Sequence, residues 1–305
     1  MGTTAVVDTA RQALGPVGVA LPVSFTTALS VDLQREAVGR LERVGYRAVW
    51  TNEVIGGKDA FVQLAVLLAA TERMVFGTNI ANIWARAPQT AHGAAAVLAQ
   101  AYPGRFVLGL GGGYPQQAAS VGREFGSPLA TMRDYLDRMD GETWPPAPDV
   151  AYPRLIAANG PKMLALAGEI ADGAIPAMLP PELTAQARQA LGPDKLLVMG
   201  LSVVPDADPD RAKATARERV SNSLDNPSYA AKMAGLGYSA QEITEVSDRL
   251  VDAIVGQGDP AAIAEKVREH LAAGADHVTL LLPIGGDFSA GIDKLAQLAP
   301  ALVNS

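Results

Sequence analysis

Short apolar runs alternate with amphipathic segments along almost the whole chain. The apolar runs occupy residues 17–21, 46–51, 74–80, 105–110, 154–158, 173–177, 196–204 and 277–282. Continuous apolar character, without alternating polar residues, is typical of strands that are buried on both faces. Such strands occur in parallel sheets that are covered by helices, so the pattern predicts an α/β protein with a parallel sheet.

The segments between these runs have the spacing of amphipathic helices. In residues 31–44, apolar side chains recur every three or four positions and so share one face. Ser30 is placed to cap this helix at its N-terminus, and Gly45 is placed to end it. The other helices are predicted at residues 60–71, 90–101, 128–139, 162–171, 181–190, 261–273 and 287–298.

Eight strand–helix units in succession predict a (β/α)8 TIM barrel. We expect residues 1–305 to form one such domain, and a doubly wound open sheet is the competing arrangement. Residues 206–255 interrupt the alternation between the seventh and eighth strands with a mostly helical pattern. This insertion is expected to lie over the mouth of the barrel, where the C-terminal ends of the strands form the active site of TIM barrel enzymes.

The composition excludes several kinds of chemistry. The chain has no cysteine, which rules out disulfides, thiolate metal sites and a cysteine nucleophile. Its three histidines lie far apart, so no metal site is expected, and a net charge of −7 argues against nucleic-acid binding. No signal-peptide pattern or membrane-spanning apolar run is found, so we expect a cytoplasmic protein without a membrane partner.

Several polar residues follow the predicted strands. Glu53 stands between a buried strand and a loop and is a candidate acid or base, although a solvated loop carboxylate fits the same pattern. Residues 159–162, Asn-Gly-Pro-Lys, favour an anion site at the N-terminus of a helix, with an ordinary helix start as the alternative. Trp84 and Arg86 are candidates for an aromatic wall and an anion contact, or for packing and capping.

Three consecutive glycines, Gly111, Gly112 and Gly113, end the fourth strand. They lack the G-x-G-x-x-G spacing of dinucleotide-binding proteins and the acidic residue that follows it. Glycine at these positions is expected to let a flat ring or a backbone segment approach closely. His92 is expected on a helix face with a satisfied hydrogen bond, and His277 begins the last strand, at the end of the barrel away from the site.

Four segments at the strand ends carry a recognisable pattern. They are 45–53 (Gly-Tyr-Arg-Ala-Val-Trp-Thr-Asn-Glu), 77–88 (Gly-Thr-Asn-Ile-Ala-Asn-Ile-Trp-Ala-Arg-Ala-Pro), 104–113 (Gly-Arg-Phe-Val-Leu-Gly-Leu-Gly-Gly-Gly) and 157–173 (Ala-Ala-Asn-Gly-Pro-Lys-Met-Leu-Ala-Leu-Ala-Gly-Glu-Ile-Ala-Asp-Gly). Their order and spacing resemble the bacterial luciferase-like monooxygenase superfamily and, within it, the coenzyme F420-dependent oxidoreductases. The resemblance covers nearly the whole chain and is weakest at residues 115–150 and 205–255.

The resemblance implies a (β/α)8 barrel with an insertion near its mouth, usually found as a homodimer. It implies a flavin or deazaflavin ring at the C-terminal barrel end against the third strand, where a cis peptide bond would join Asn79 and Ile80. The cofactor phosphate would lie on residues 159–163. The cofactor-binding residues would then be Asn79, Ile80, Asn82, Gly111, Gly112, Asn159, Gly160, Pro161, Lys162 and Met163.

The implied reaction is hydride transfer between coenzyme F420 and a small organic substrate, with Glu53 catalytic and Trp84 and Arg86 contacting the substrate. An FMN-dependent two-component monooxygenase and a non-catalytic flavin-binding relative are the alternatives. Val54 stands where many members have a histidine after the acid, and residues 111–113 lack the glutamate of some sugar-phosphate-oxidising members. Both departures argue against a substrate of the glucose-6-phosphate type.

Overall fold

A computed structural model describes residues 3–24 and 26–303, in which ten strands and fourteen helices follow one another. The strands are β1 (Val17–Ala20), β2 (Ala48–Thr51), β3 (Val75–Thr78), β4 (Ala81–Asn82), β5 (Phe106–Gly111), β6 (Arg154–Ile156), β7 (Gly173–Ala174), β8 (Leu196–Pro205), β9 (Val255–Gly258) and β10 (His277–Leu281). The helices are α1 (Thr3–Leu14), α2 (Val31–Arg43), α3 (Ala60–Ala69), α4 (Pro88–Ala101), α5 (Pro115–Ser120), α6 (Pro128–Met139), α7 (Pro161–Ile170), α8 (Pro181–Leu191), α9 (Pro209–Leu224), α10 (Pro227–Gly235), α11 (Ala240–Thr244), α12 (Asp248–Ile254), α13 (Pro260–Ala272) and α14 (Phe288–Leu302).

Eight of the strands form a closed parallel barrel. The order is β1, β2, β3, β5, β6, β7, β8 and β10, and β10 closes the barrel by pairing with both β8 and β1. Each of the eight coincides with one of the eight apolar runs of the sequence, and only β5 and β8 extend one residue beyond theirs. The predicted (β/α)8 TIM barrel is therefore confirmed, and the open-sheet alternative is wrong.

Two short strands have no counterpart among the predicted elements. β4 follows β3 and pairs with the end of β5, while β9 pairs with the last residues of β8, Ser202 to Pro205. Four helices, α9 to α12, fill the chain between β8 and β9. The mostly helical insertion predicted between the seventh and eighth barrel strands is thus present.

The ends of the helices follow their capping residues. The Ser30 side chain accepts a hydrogen bond from the backbone N–H of Leu33 at the start of α2, and Gly45 just beyond this helix has a φ of +103°. Asp259 caps α13 in the same way. The sixth barrel strand, β7, is shorter than predicted, because Pro176 has no N–H to donate to the ladder, although Ala177 still bridges to Gly200.

The barrel interior is closed at its N-terminal end by α1, which was not predicted. Val7, Ala10 and Leu14 of this helix are buried against inward-facing strand residues such as Val75 and Val198. The layer between strands and outer helices forms a second, larger core. Helix α1 therefore covers the N-terminal end of the barrel, opposite the end where the strands have their C-termini.

His277 and His92 have the contacts expected of structural histidines. His277, at the N-terminal end of β10, accepts a hydrogen bond from the Trp50 indole N–H over 3.1 Å. The Nδ1 atom of His92 lies 2.7 Å from the hydroxyl oxygen of Tyr152. In the described part of the chain, no helix is long and apolar enough to cross a membrane, and no group of His, Asp and Glu residues is arranged to hold a metal ion.

Candidate active site

The C-terminal end of the barrel contains two clefts. The β1–β2 cleft, of about 700 Å³, is lined mainly by residues of the loops that follow these two strands. They are Pro22, Val23, Ser24, Thr26, Thr27, Ala28, Leu29, Asn52, Val54, Ile55, Gly56, Gly57 and Lys58, together with Gln34 of α2. The insertion cleft, of about 880 Å³, lies between other strand ends and helices α9 and α10 of the insertion. Its lining comprises Tyr114, Asn159, Ala177, Met178, Thr215, Glu218, Arg219, Asn222, Ser223, Asp225, Asn226, Tyr229, Pro283 and Ile284.

The segment between β3 and β4 contains the implied cis peptide bond. The bond between Asn79 and Ile80 is cis, and the hydrogen-bond ladder continues on both sides of it. The Asn79 N–H donates to the Thr51 carbonyl over 2.7 Å, and the Glu53 N–H donates to the Ile80 carbonyl over 3.0 Å. The end of β2 therefore holds this segment in place at the barrel mouth.

Glu53 is buried, with 5% of its surface exposed, and both carboxylate oxygens accept hydrogen bonds. Oε1 accepts from the backbone N–H of Ala60, at the start of α3, and Oε2 accepts from the backbone N–H of Asn82, over 3.0 and 2.8 Å. Arg86 donates to both oxygens, with Nη1 2.9 Å from Oε2. One carboxylate thus connects β2, α3, β4 and the loop that carries Arg86.

Arg86 is held between two carboxylates. Its side chain is 10% exposed and binds Asp59 over 2.8 Å as well as Glu53. The guanidinium also lies 4.6 Å from the centre of the Phe61 ring, a cation–π contact. Burial alone lowers the pKa of Arg86, but Glu53 and Asp59 raise it overall. The substrate contact predicted for Arg86 stays a prediction, since every one of these contacts is internal.

Asn82 provides a buried hydrogen-bond donor that no described residue satisfies. Only 1% of the residue is exposed, and its Oδ1 accepts the Trp84 backbone N–H over 2.9 Å. Its Nδ2 has no partner within the described residues. A Cβ at Gly113 would lie 3.0 Å from this nitrogen, which places the free donor beside the glycine turn after β5.

The glycines of β5 are required by close packing. A Cβ at Gly109 would collide with the Thr78 carbonyl oxygen, and a Cβ at Gly111 would lie 2.6 Å from Cγ1 of Ile80. Gly112 has more space, and its carbonyl accepts the Trp84 indole N–H over 2.7 Å. The glycines were expected to allow the close approach of either a flat ring or a backbone segment. In the structure a backbone segment approaches them, because the residues around the cis bond pack directly against β5.

The turn after β6 forms the N-terminus of α7, as predicted. Gly160 is the N-cap and offers no side chain to the first helical N–H groups, Pro161 is the first helical residue, and Lys162 is exposed beside it. A Cβ at Gly160 would meet nothing within 4 Å, so the turn is open. Asn159 points elsewhere, because its Oδ1 accepts the Ala177 N–H over 2.9 Å. Uncapped N–H groups and the helix dipole make such an end suitable for an anion.

Residues 16–277 match the family model of the luciferase-like monooxygenases. The chain belongs to this family.

Two curated relatives of this luciferase-like protein have names that refer to F420 or to a reductase. A Mycobacterium tuberculosis protein, assigned provisionally by its name to the coenzyme F420-dependent oxidoreductases, is 31% identical over 182 residues, which are 48% of this chain and 52% of that protein. The 5,10-methylenetetrahydromethanopterin reductase of Methanolobus tindarius is 25% identical over 301 residues, covering 84% of this chain and 92% of the reductase. The match therefore spans about half of the first relative and nearly all of the second.

A solved structure shares the fold of this luciferase-like protein along almost its full length. The F420-dependent secondary alcohol dehydrogenase in complex with an F420–acetone adduct superimposes with a TM-score of 0.73. The superposition covers 94% of this chain and 99% of the dehydrogenase at 20% identity. At this identity, the likeness shows a common fold.

The strand-end residues predicted for the cofactor fall into two places in this luciferase-like protein. Ile80 and Asn82 contact the glycines at the end of β5, and Asn79 precedes them across the cis bond, whereas residues 159–163 lie at the start of α7. The insertion cleft contains residues that the sequence did not single out, among them Arg219. An arginine in a polar helix has no sequence signal that distinguishes it from a solvated surface residue.

Proposed function

We propose that this protein binds coenzyme F420 and transfers a hydride between it and a small organic substrate. The observation that carries the proposal is the partnerless Nδ2 of Asn82 beside the cis peptide and the glycine turn. A buried donor without an acceptor costs the folded protein about 1–3 kcal/mol of stability. Such an atom therefore indicates that a ligand accepts its hydrogen bond. Family membership and the F420-dependent and reductase relatives support F420 as that ligand.

The residues present fit a phosphorylated deazaflavin. Asn82 can donate to a polar ring atom, and the open turn at Gly160 with exposed Lys162 can receive a phosphate at the N-terminus of α7. F420, when bound, supplies two-electron hydride chemistry at a carbon of its ring. The role of the protein is to bind and orient the cofactor. Helix α1 closes the N-terminal end of the barrel, opposite the site, and so excludes water from that side.

Glu53 was predicted as the catalytic residue, and its contacts favour a positioning role. Both oxygens already accept two hydrogen bonds each, so the carboxylate has little capacity left to exchange a proton with a substrate. Its bond to the Asn82 N–H fixes the segment that carries the free Nδ2. We propose that Glu53 orients the cofactor-binding segment and that water or the substrate itself supplies the proton.

The cofactor is tested by titrating the purified protein with F420 and, separately, with FMN, followed by fluorescence. We expect micromolar binding of F420 and much weaker binding of FMN. Micromolar FMN binding without F420 binding would contradict the proposal and favour the two-component monooxygenase. Oxidation of reduced F420 by a panel of enones, aldehydes and imines then tests catalysis, and inactivity with the whole panel would favour a non-catalytic relative.

Lys162→Ala is expected to weaken F420 binding by about 1–2 kcal/mol, the range of one charge-assisted hydrogen bond. Lys162 is exposed at the open start of α7, so the fold should be unaffected. Lys294→Ala, an equally exposed lysine in α14, serves as the matched control and should leave the affinity unchanged. If both variants and the parent protein bind F420 with equal affinity in a fluorescence titration, Lys162 does not contact the cofactor phosphate.

A further inference from the structure

Arg219 in α9 is a half-buried cation for which the described residues provide no counter-ion. Its Nε donates to the hydroxyl of Ser202 on β8. Across residues 3–24 and 26–303, neither terminal nitrogen has a hydrogen-bond partner and no carboxylate lies within 4 Å. Burial lowers the pKa of Arg219, and no neighbouring charge offsets this effect. A desolvated guanidinium with free N–H groups is suited to bind an anion, which would satisfy both its charge and its hydrogen bonds.

The surroundings of Arg219 form the wall of a ligand site. It lines the insertion cleft of about 880 Å³ together with polar side chains and the apolar residues Pro283 and Ile284. On the neighbouring strand β10, Thr279 is fully buried and its Oγ1 has no partner among the described residues. Thr279 pairs with Gly200, two residues before Ser202 on β8. An unsatisfied buried polar atom thus occurs on β10, the strand that pairs with β8, which carries the Ser202 partner of Arg219.

The loop opposite Arg219 is held in an unusual conformation. Met178 has a φ of +56°, a left-handed conformation that is uncommon for a residue with a side chain. Two hydrogen bonds hold it: its N–H donates to the Gly200 carbonyl over 2.8 Å, and the Tyr229 hydroxyl donates to its carbonyl over 2.6 Å. The second bond links the insertion to the barrel. Backbone strain that is maintained by its surroundings is concentrated at functional sites.

The acidic residues of the cleft do not cancel the charge of Arg219. Glu218 and Asp225 also line it, but both are exposed to solvent. Exposed charges are screened by water and salt, whereas a charge at a partly desolvated position acts more strongly at short range. The acidic rim therefore leaves a short-range attraction for one small anionic group and repels a polyanion.

We propose that Arg219 binds the carboxylate or phosphate group of the small-molecule substrate, which therefore carries an anionic group. The inference deepens the proposed function and rests on it for the assignment to the substrate. Ser202 positions the guanidinium, and the apolar residues of the same cleft contact the rest of the molecule. The cofactor phosphate is proposed to bind at the start of α7, and Asn159 just before that helix also lines the insertion cleft.

The test measures inorganic phosphate binding to the purified protein by ³¹P NMR titration. Arg219→Gln is expected to weaken phosphate binding at least tenfold, while Arg219→Lys retains part of it. Arg217→Gln is the matched control, because Arg217 lies on the same helix but is already paired with Asp248 and the Val246 carbonyl. Arg217→Gln should leave binding within twofold. Unchanged binding in Arg219→Gln, or an equal loss in Arg217→Gln, would overturn the proposal.

A second arm separates the substrate from the cofactor as the source of the anion. With saturating F420 present, the phosphate that depends on Arg219 is expected to bind with unchanged affinity, while any phosphate at the start of α7 is displaced. Displacement of the Arg219-dependent phosphate by F420 would assign Arg219 to the cofactor and overturn the substrate assignment. The first arm needs no cofactor. If the protein does not bind F420 but phosphate binding still depends on Arg219, the proposed function is contradicted and the anion site at Arg219 is not. Thermal unfolding of each variant verifies that the fold is retained.

Discussion

Replacement of Glu53 by glutamine is expected to lower the free energy of unfolding by about 3 kcal/mol, the lower end of the range for removing one partner of a buried ion pair. Glutamine has nearly the same shape but no charge. Arg86, with a side chain that is 10% exposed, would keep its charge and retain only the partly exposed Asp59 as its ionic partner. The measurement is urea unfolding at pH 7, followed by circular dichroism.

The size of this effect follows from how much of the structure Glu53 connects. Besides its ion pair, the carboxylate accepts backbone N–H groups from Ala60 and Asn82, and an amide can accept through only one of its two terminal atoms. At least one buried N–H is therefore left without an acceptor in the variant. Since Asn82 carries the free donor proposed to contact the cofactor, F420 affinity should decrease together with stability.

Asp32→Asn is the matched control for Glu53→Gln. Asp32 forms a comparable ion pair with Arg35, but both side chains are largely exposed, so the control should change the unfolding free energy by less than about 1 kcal/mol. A Glu53→Gln variant that is as stable as the control would show that the buried pair is not important for stability. A variant with parental stability and F420 affinity but no turnover would return Glu53 to the catalytic role predicted from the sequence.

The barrel was predictable because its signals are local. Each strand is a continuous apolar run, and helix ends are marked by residues such as Ser30 and Asp259 whose side chains cap the first turn. The cis bond at Asn79–Ile80 was expected from the resemblance, since no local propensity favours a cis bond before isoleucine. Periodicity and capping chemistry thus determine the architecture, and a family pattern supplies a backbone detail that they do not encode.

The arrangement of the site was not predictable, because it depends on contacts between distant residues. Glu53 and Arg86 are 33 positions apart, and each was singled out separately for a catalytic or binding task. Only the folded chain shows that they neutralise each other. The role of α1 as the closure of the barrel likewise depends on packing against strands far along the chain. The position of Arg219 beside Ser202 depends on how α9 packs against the preceding strand, β8.

Acidification from pH 7 to pH 5 is expected to lower the free energy of unfolding by about 4 kcal/mol, with about 2 kcal/mol from each of two buried histidines. Burial lowers the pKa of His277 and that of His270 to about 4 in the folded protein. The pKa of an unfolded histidine is about 6.5. Between these values the unfolded chain binds protons that the folded chain does not, so stability decreases as the pH falls from 6.5 to 4.

The contacts of His277 explain why its neutral form is required. The Trp50 indole N–H can only donate, so Nε2 of His277 must be the unprotonated acceptor, and Nδ1–H then donates to the Gly15 carbonyl over 2.7 Å. Protonation of Nε2 would remove the acceptor of Trp50 and place a charge inside the barrel, beside Gly18, where a Cβ would lie only 2.7 Å from this nitrogen. The ring has no space to move away.

His277→Gln offers a side chain that accepts a hydrogen bond and does not titrate. Its loss of stability between pH 7 and pH 5, measured by urea unfolding, should be about 2 kcal/mol smaller than that of the parent protein. His270→Gln should give a similar reduction, because His270 is equally buried, with Nδ1 2.9 Å from the Thr184 hydroxyl. Between pH 7.5 and 8.5 these two histidines are neutral in both states, so the variants should parallel the parent. A parent protein equally stable at pH 5 and pH 7 would show that the two side chains accept protons without unfolding.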